Sequence, residues 1–443
     1  MIGPFDTWQV QAIGYNLNAF AIPSGIDVGG PMNLSEEYRW NIPTVTYAFD
    51  ESFLNYFGQD GVAAVESAIQ LLNALPSASQ LSPDLSEFPL DTRRFNYQAT
   101  ALSLFDLKSV ALSALLEQMG LTAAERYVWT LRSRVVVANV PQYAVIKRNF
   151  DPVTLAPSSY VNGTLYTYSI FQTFVGPDVW EAVEAVVDPN VPSVTSVAAY
   201  MGVSGGTIDF RGLLTILSPG IFYTGLTRDD VGGLRYLYRR NNANVENLPP
   251  NATVSAGGSP WGIPGGTNAV PVITALRPGV EKITFVRVDF DSILGQSPVF
   301  TNRYTDAYIT NGTTLGQTVE IVSTVPNVLF SAADLGVGAG GVPIPYQRTT
   351  TYVNNDAING GSGVVKGGPG VILPGIEISF SNLGPWLFNV GDGSEEFAFL
   401  GLIWGSFDGT TNAPVAYPIG TSIREIESRV FGLARGGGQW VIP

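Results

Sequence analysis

The sequence predicts an α+β chain in two parts, an α+β unit over 1–245 and an all-β sandwich or jelly roll over 269–443. Three observations carry that expectation. Period-two and helix-period segments alternate in the first half. A stretch dense in Asn, Pro and Gly, 246–268, reads as a linker. Beyond it the text is almost wholly strand-like, at 282–290, 318–322, 376–380 and 397–404, with Gly, Pro and Asn between the runs. The length, 443 residues, is enough for more than one core.

Residues 1–40 read as loop. Val45, Tyr47 and Phe49 then alternate with Thr44, Thr46 and Ala48, a strand with one buried face. Val62, Val65, Ile69 and Leu72 share one helical face, and Pro76 follows, so 61–75 reads as a helix. A second helix is expected over 107–119, with Asp106 as its N-cap and Gly120 at its C-terminal stop. Thr122 with Glu125 three residues on forms a capping-box pattern, which predicts a third helix over 122–132. Strands follow at 135–137, 143–146 and 165–174, and 179–186 reads as a short helix. In 227–238 Thr227 caps, Asp229 and Asp230 suit the positive helix start, and Arg235, Arg239 and Arg240 suit its negative end.

Composition narrows the chemistry. The chain has no His and no Cys, so imidazole triads, thiol nucleophiles, disulfides and the commonest zinc ligands are absent. Carboxylates, Tyr, Ser, Thr, four Lys and backbone groups remain. The net charge is −14, with both halves acidic, which disfavours nucleic acid as a partner. No apolar run is long enough to span a bilayer. No cofactor is implied. The Lys-poor, Thr- and Asn-rich composition points to an extracellular or cell-surface protein whose leader is absent from this numbering.

Two catalytic-looking motifs read better as turns. Gly202–Gly206 fits G-x-S-x-G, but no His exists to activate Ser204. Gly336–Gly341 fits G-x-G-x-x-G, but Pro343 and Pro345 stand where a dinucleotide-binding helix would begin. The pairs Asp289/Asp291 and Glu395/Glu396 (with Asp392) read as solvated turns ahead of weak Ca²⁺ sites. Asn33, Asn162, Asn251 and Asn311 lie in N-x-S/T sequons and are the candidate glycan sites.

The stretch 106–123, DLKSVALSALLEQMGLTA, resembles the zinc helix of metzincin proteases of the matrixin type, H-E-x-x-H-x-x-G-x-x-H. The matching positions here are Ser113, Ala114, Glu117, Gly120 and Ala123: the apolar frame and the glycine persist, whereas all three ligands and the base are replaced. Trp40–Phe49 with the following helix resembles that family's first strand and helix. Ser218–Tyr223 followed by 226–238 resembles its Met-turn and closing helix, with Phe222 in place of the Met. The resemblance implies a degenerate, non-catalytic metzincin-like domain carrying a large β-rich insertion between Ala123 and Phe222.

The C-terminus offers a Gly436–Gly438 hinge and then Gln439, Trp440, Val441 and Ile442, an apolar end that gains by burial against its own domain or a neighbouring copy. Strand addition of that kind joins copies head to tail and yields a filament. The leading expectation is therefore a non-catalytic extracellular structural protein that assembles with itself into a fibril, filament or surface layer. The alternatives are a monomeric binding or adhesion module on a dead protease scaffold and a carboxylate-dependent hydrolase.

Overall fold

The computed structural model describes residues 34, 37–125, 128–172, 180–200, 219–247, 252–254, 274–310, 313–332, 335, 348–354, 370–380, 403–422 and 424. Within them the chain is mixed α+β. Four α-helices are present among the described residues: α1 (Glu51–Asn73), α2 (Tyr97–Ala101), α3 (Leu107–Gln118) and α4 (Arg228–Tyr238).

A six-stranded sheet forms the centre. Its order is Tyr38–Arg39, Gly370–Ser379, Val328–Ser331, Thr44–Phe49 and Thr284–Arg287, all in parallel, with Arg348–Asn354 antiparallel on Gly370–Ser379. The alternation at 44–49 is real, but the strand is central and its polar positions are also largely covered: Thr46 is buried and its hydroxyl donates to Asn327 Oδ1 at 3.0 Å. Parallel neighbours require covered faces. Helix α1 covers this sheet through Phe53 and Phe57, which join Phe49, Phe330, Phe380, Trp404 and Tyr417 in a run of ring contacts, such as 4.8 Å between the Phe53 and Phe57 centroids.

This topology corrects the expected division of the chain. Strands 284–287, 328–331 and 370–379 do not make a sandwich of their own; they interleave with 38–39 and 44–49 in one sheet and share one apolar core with α1 and α3. The expected linker 246–268 is also partly structured. Asn244–Asn247 pairs antiparallel with Thr274–Arg277, and Ala252–Val254 pairs with 319–321 of the strand Thr313–Ser323, itself in a hairpin with Phe300–Thr310. Turn-rich composition marks a crossing, but it does not say which strands pair across it.

The helix expected at 61–75 begins earlier, at Glu51. Asp50 caps it by accepting from Phe53 N–H at 2.8 Å, and Gly58, at φ 59°, interrupts it before the predicted segment. Helix α3 matches expectation, with Asp106 accepting from Ser109 N–H at 2.9 Å and Gly120 at φ +101° past its end. A Cβ at Gly120 would stand 2.3 Å from Tyr38 O, so only glycine fits. Helix α4 carries the predicted capping box, Thr227 with Asp230.

Two helix expectations fail. Residues 121–125 are irregular and Trp129–Val137 is a strand, paired with Val140–Lys147. Residues 180–186 are a strand, Trp180–Val186, paired with Thr164–Gln172. In both places β-branched and aromatic residues have neighbouring strands to pair with, and that outweighs a local cap pattern.

One buried polar network ties early and late segments together. Arg39 meets Glu246 at 2.6 Å, Glu246 also faces Arg277 at 3.9 Å, and Arg277 pairs with Asp306. Arg39 further donates to the carbonyls of Leu237 and Asn242, and Arg277 to that of Asn41. Nearby, Glu37 accepts from the side chains of Asn242 and Asn244.

Candidate functional site

The motif positions lie around α3, which is buried on nearly all sides; only Lys108 and Glu117 escape full burial. A helix apolar on every face belongs to a core. Its C-terminal end is tied by Trp40, whose Nε1 donates to Gln118 O at 2.8 Å, and by Tyr238, whose hydroxyl donates to Met119 O at 2.6 Å.

The six positions do not converge on one cavity. Ala114 packs in the main core. Ala123 packs in a separate cluster with Ala124, Val128, Val161, Tyr166 and Ala199. Phe222 sits in a third, against Leu104, Ala99, Ile403 and Phe407, with its ring 5.8 Å from that of Phe407. Ser113 is buried, and its hydroxyl reaches Ala198 O at 3.5 Å. Glu117 is half-buried, and Gly120 makes the turn.

The segment 195–200 occupies the space beside α3 and is itself buried throughout. Two carboxylates hold it. Glu125 accepts from the N–H groups of Thr195 (2.8 Å) and Ser196 (2.6 Å) and from both their hydroxyls. Asp230 accepts from the N–H groups of Val197 (3.1 Å) and Ala198 (3.0 Å) while also closing the α4 capping box on Thr227. Tyr200 completes the seat: its hydroxyl donates to Ile221 O at 3.3 Å and its ring lies 5.3 Å from Tyr223. Tyr223 N–H donates to Ser109 Oγ, which in turn donates to Asp106.

Burial dominates the electrostatics here. It raises the carboxyls of Glu125 and Asp230 above the usual carboxylate range, against the lowering effect of their hydrogen bonds. Asp106 is pushed up to about 6 for the same reason, with Ser109 and Phe407 N–H opposing. The phenols of Tyr200 and Tyr223 are raised as well, chiefly by burial. Each carboxyl is committed to main-chain donors, which is the chemistry of a clamp. No group of three or more Asp or Glu suited to a metal ion occurs among the described residues.

Asp230 stands at the helix start its spacing predicts, and it has a second task, holding 197–198. Glu125 lies in an irregular stretch where a helix was expected. The Thr227-x-x-Asp230 spacing was the one local signal; the partners at 195–198 are distant in sequence.

Compared with protein-family models, curated proteins and solved structures, the chain matches none.

Of the four sequons, only Asn162 falls within the described residues. Its Nδ2 donates to Thr195 Oγ1 (3.1 Å) and Thr227 Oγ1 (3.0 Å), and its Oδ1 accepts from Asp229 N–H (3.0 Å). A glycan on Nδ2 would break into that network, so Asn162 is a structural amide in this fold. Asn33, Asn251 and Asn311 lie outside the described residues, as do Gly202–Gly206, Gly336–Gly341, Asp392, Glu395, Glu396 and the tail residues Gln439, Trp440, Val441 and Ile442. Asp289 and Asp291 are exposed, and Asp291 closes a turn by accepting from Ile293 and Leu294 N–H.

Two apolar surfaces stand out. The hairpin of Trp129–Val137 and Val140–Lys147 turns through Ala138 and Asn139, both at positive φ, and every residue over 135–144 is exposed. Its tip presents Val135, Val136, Val137 and Val140, each at least half exposed. The second surface is the 291–299 turn, where Ile293 is 90% exposed and Leu294 and Val299 about 70%.

Proposed function

We propose that this protein is a non-catalytic structural protein that assembles with itself, head to tail, in an extracellular setting. The observation that carries the reading is the pair of exposed apolar surfaces, which differ in form: one is a projecting two-stranded arm and the other a turn. Segments 135–146 and 292–300 contain no charged residue in a chain of net charge −14. Copies that repel through most of their surface can approach where that surface is uncharged. Contact between two different patches is heterologous, and repetition of it builds a ring or a filament. The base of the hairpin packs on Thr164–Gln172 and Trp180–Val186, and its exposed tip gains from added strands.

The non-catalytic part of the reading rests on the inventory. The chain has no imidazole or thiol, and the motif positions are split among three apolar clusters beside a segment gripped by Glu125 and Asp230. The metzincin-like ancestry implied by 106–123 remains part of the proposal, with α3 serving as a core brace.

Electron microscopy and light scattering of the purified chain test it. Filaments, with scattering that grows with concentration, are expected. A monomer at all concentrations and salt levels would remove the assembly reading, and chelator-sensitive peptide cleavage would remove the non-catalytic one. Deleting 436–443 separates the routes: continued assembly assigns the contact to the hairpin and turn surfaces, and its loss assigns it to the tail.

A further inference from the structure

A cavity of about 460 Å³ opens between the C-terminal half of α4, the 78–83 segment and the 152–155 loop. Its walls are apolar, formed by Leu81, Pro83, Pro152, Val153 and Leu155. Its charged lining is mainly cationic, which is unusual on a chain this acidic.

Arg235 reaches three main-chain carbonyls, Ser82 O (2.6 Å), Pro83 O (3.0 Å) and Pro152 O (2.8 Å). They satisfy its donors without a full counter-charge. One turn on, the Arg239 guanidinium lies 5.0 Å over the Tyr236 ring, and its Nε is buried with no acceptor among the described residues. The two cations are near enough that Arg239 helps lower the pKa of Arg235, after the larger effect of burial. The acid in the cavity wall, Glu281, has its oxygens on the N–H groups of Arg240 (2.8 Å) and Ser79 (3.1 Å). Asp84 and Glu87 lie near enough to Arg235 to counter part of that lowering, and their oxygens are held by Ser82 and Ser86. The carbonyl end of α4 adds only partial negative charge.

A half-buried guanidinium in the cavity lining, with no side-chain hydrogen bond among the described residues and braced on an aromatic ring beside apolar walls, fits a planar anion with an apolar body. We propose that this cavity binds an organic carboxylate, with the carboxylate on Arg239 and a compact apolar group against Leu81, Val153 and Leu155. A free acid and the C-terminal carboxylate of a peptide share that chemistry. The proposal is independent of self-assembly, since neither the hairpin nor the 291–299 turn lines the cavity.

The test titrates the full chain with N-acetyl-leucine, N-acetyl-leucinamide, acetate and inorganic phosphate, followed by calorimetry or NMR. N-acetyl-leucine should bind at least about tenfold more tightly than its amide, because loss of the charge leaves Arg239 unmatched. Acetate and phosphate should bind more weakly, because neither has an apolar body. Arg239→Gln should weaken N-acetyl-leucine by about tenfold, and Arg239→Lys should restore part of the loss. A short peptide ending in leucine then separates the sources: tighter binding than the free acid assigns a protein C-terminus, and equal binding a small acid. The proposal is overturned if acid and amide bind alike, if phosphate matches the acid, if Arg239→Gln changes nothing, or if no carboxylate binds up to about 10 mM. Should Arg239→Gln fail to fold, the acid, amide and acetate comparison on the unaltered chain still decides.

Discussion

Glu125 and Asp230 divide four consecutive peptide N–H groups between them: Glu125 takes those of Thr195 and Ser196, and Asp230 those of Val197 and Ala198. A buried irregular segment, which bends into a turn over 197–200, would otherwise leave these donors unmet. The two acids come from distant points in the chain, so the clamp also joins the start of α4 to the loop after α3.

Removing one jaw should therefore unmake more than one contact. Asp230→Ala orphans three buried N–H groups and the Thr227 cap, and a loss of about 3–5 kcal/mol in unfolding free energy is expected. Asp230→Asn, which keeps an acceptor oxygen, should lose less than half as much. Urea unfolding monitored by circular dichroism measures both; a loss below about 1 kcal/mol in the alanine variant would show that the segment is held by packing alone.

The pH dependence has a definite sign. Asp106, Glu125, Asp230 and Glu246 all have carboxyl pKa values raised by burial, Asp106 to about 6 from 3.8. Between those values the folded chain keeps a proton that the unfolded chain has released, so stability falls as pH rises through the window. For Asp106 alone the difference is on the order of 3 kcal/mol at ~1.4 kcal/mol per unit. Asp84, Glu87, Asp151 and Asp188 have lowered values, so their contribution is present above the ordinary carboxylate range and is lost only on further acidification. The melting temperature should thus rise from pH 7 to about pH 5 and fall below about pH 4. A melting temperature that is flat, or that climbs from pH 5 to pH 7, would contradict this assignment.

Glu246 stands between Arg39 and Arg277, each only 1% exposed. Truncation to Ala leaves two buried guanidinium groups without their shared carboxylate, a change expected to cost about 3–5 kcal/mol. Glu246→Gln keeps hydrogen bonding but not charge and should fall between. Because this network bridges 39, 246, 277 and 306, the loss should appear as one cooperative transition moved to lower denaturant. A separate early transition would mean that the segments beyond 274 unfold independently.

The hairpin surface can be tested without disturbing the fold. Val136 and Val140 are more than half exposed, so Val136→Asp with Val140→Asp should change stability by no more than about 0.5 kcal/mol per site. Placed on copies that already repel, the added charges should abolish filaments while circular dichroism stays the same. Filaments of unchanged length would exclude the arm from the contact.

Local signals account for much of what was legible. Asp106 and Thr227 capped the helices they were expected to cap, and Gly120 adopted the conformation its position demanded. The strand at 44–49 followed from alternation, and the strand expected over 165–174 is Thr164–Gln172. Glu125 shows where such reasoning stops: its capping pattern with Thr122 is genuine as text, yet its carboxylate satisfies backbone seventy residues away. Strand 284–287 shows the same limit, because its apolar residues cannot reveal that the neighbour is 44–47.

The sequence by itself determined the mixed α+β character, the ends of α3 and α4 and the poverty of catalytic groups, because caps, periodicity and composition are written over a few residues or over the whole chain. Tertiary structure alone decided that both halves share one mainly parallel sheet, that 195–200 lies beside α3, and that Arg239 lines a cavity with apolar walls. Parallel pairing and burial join residues hundreds of positions apart, and their energies depend on which groups desolvate together, a property of the assembled chain that no short stretch carries.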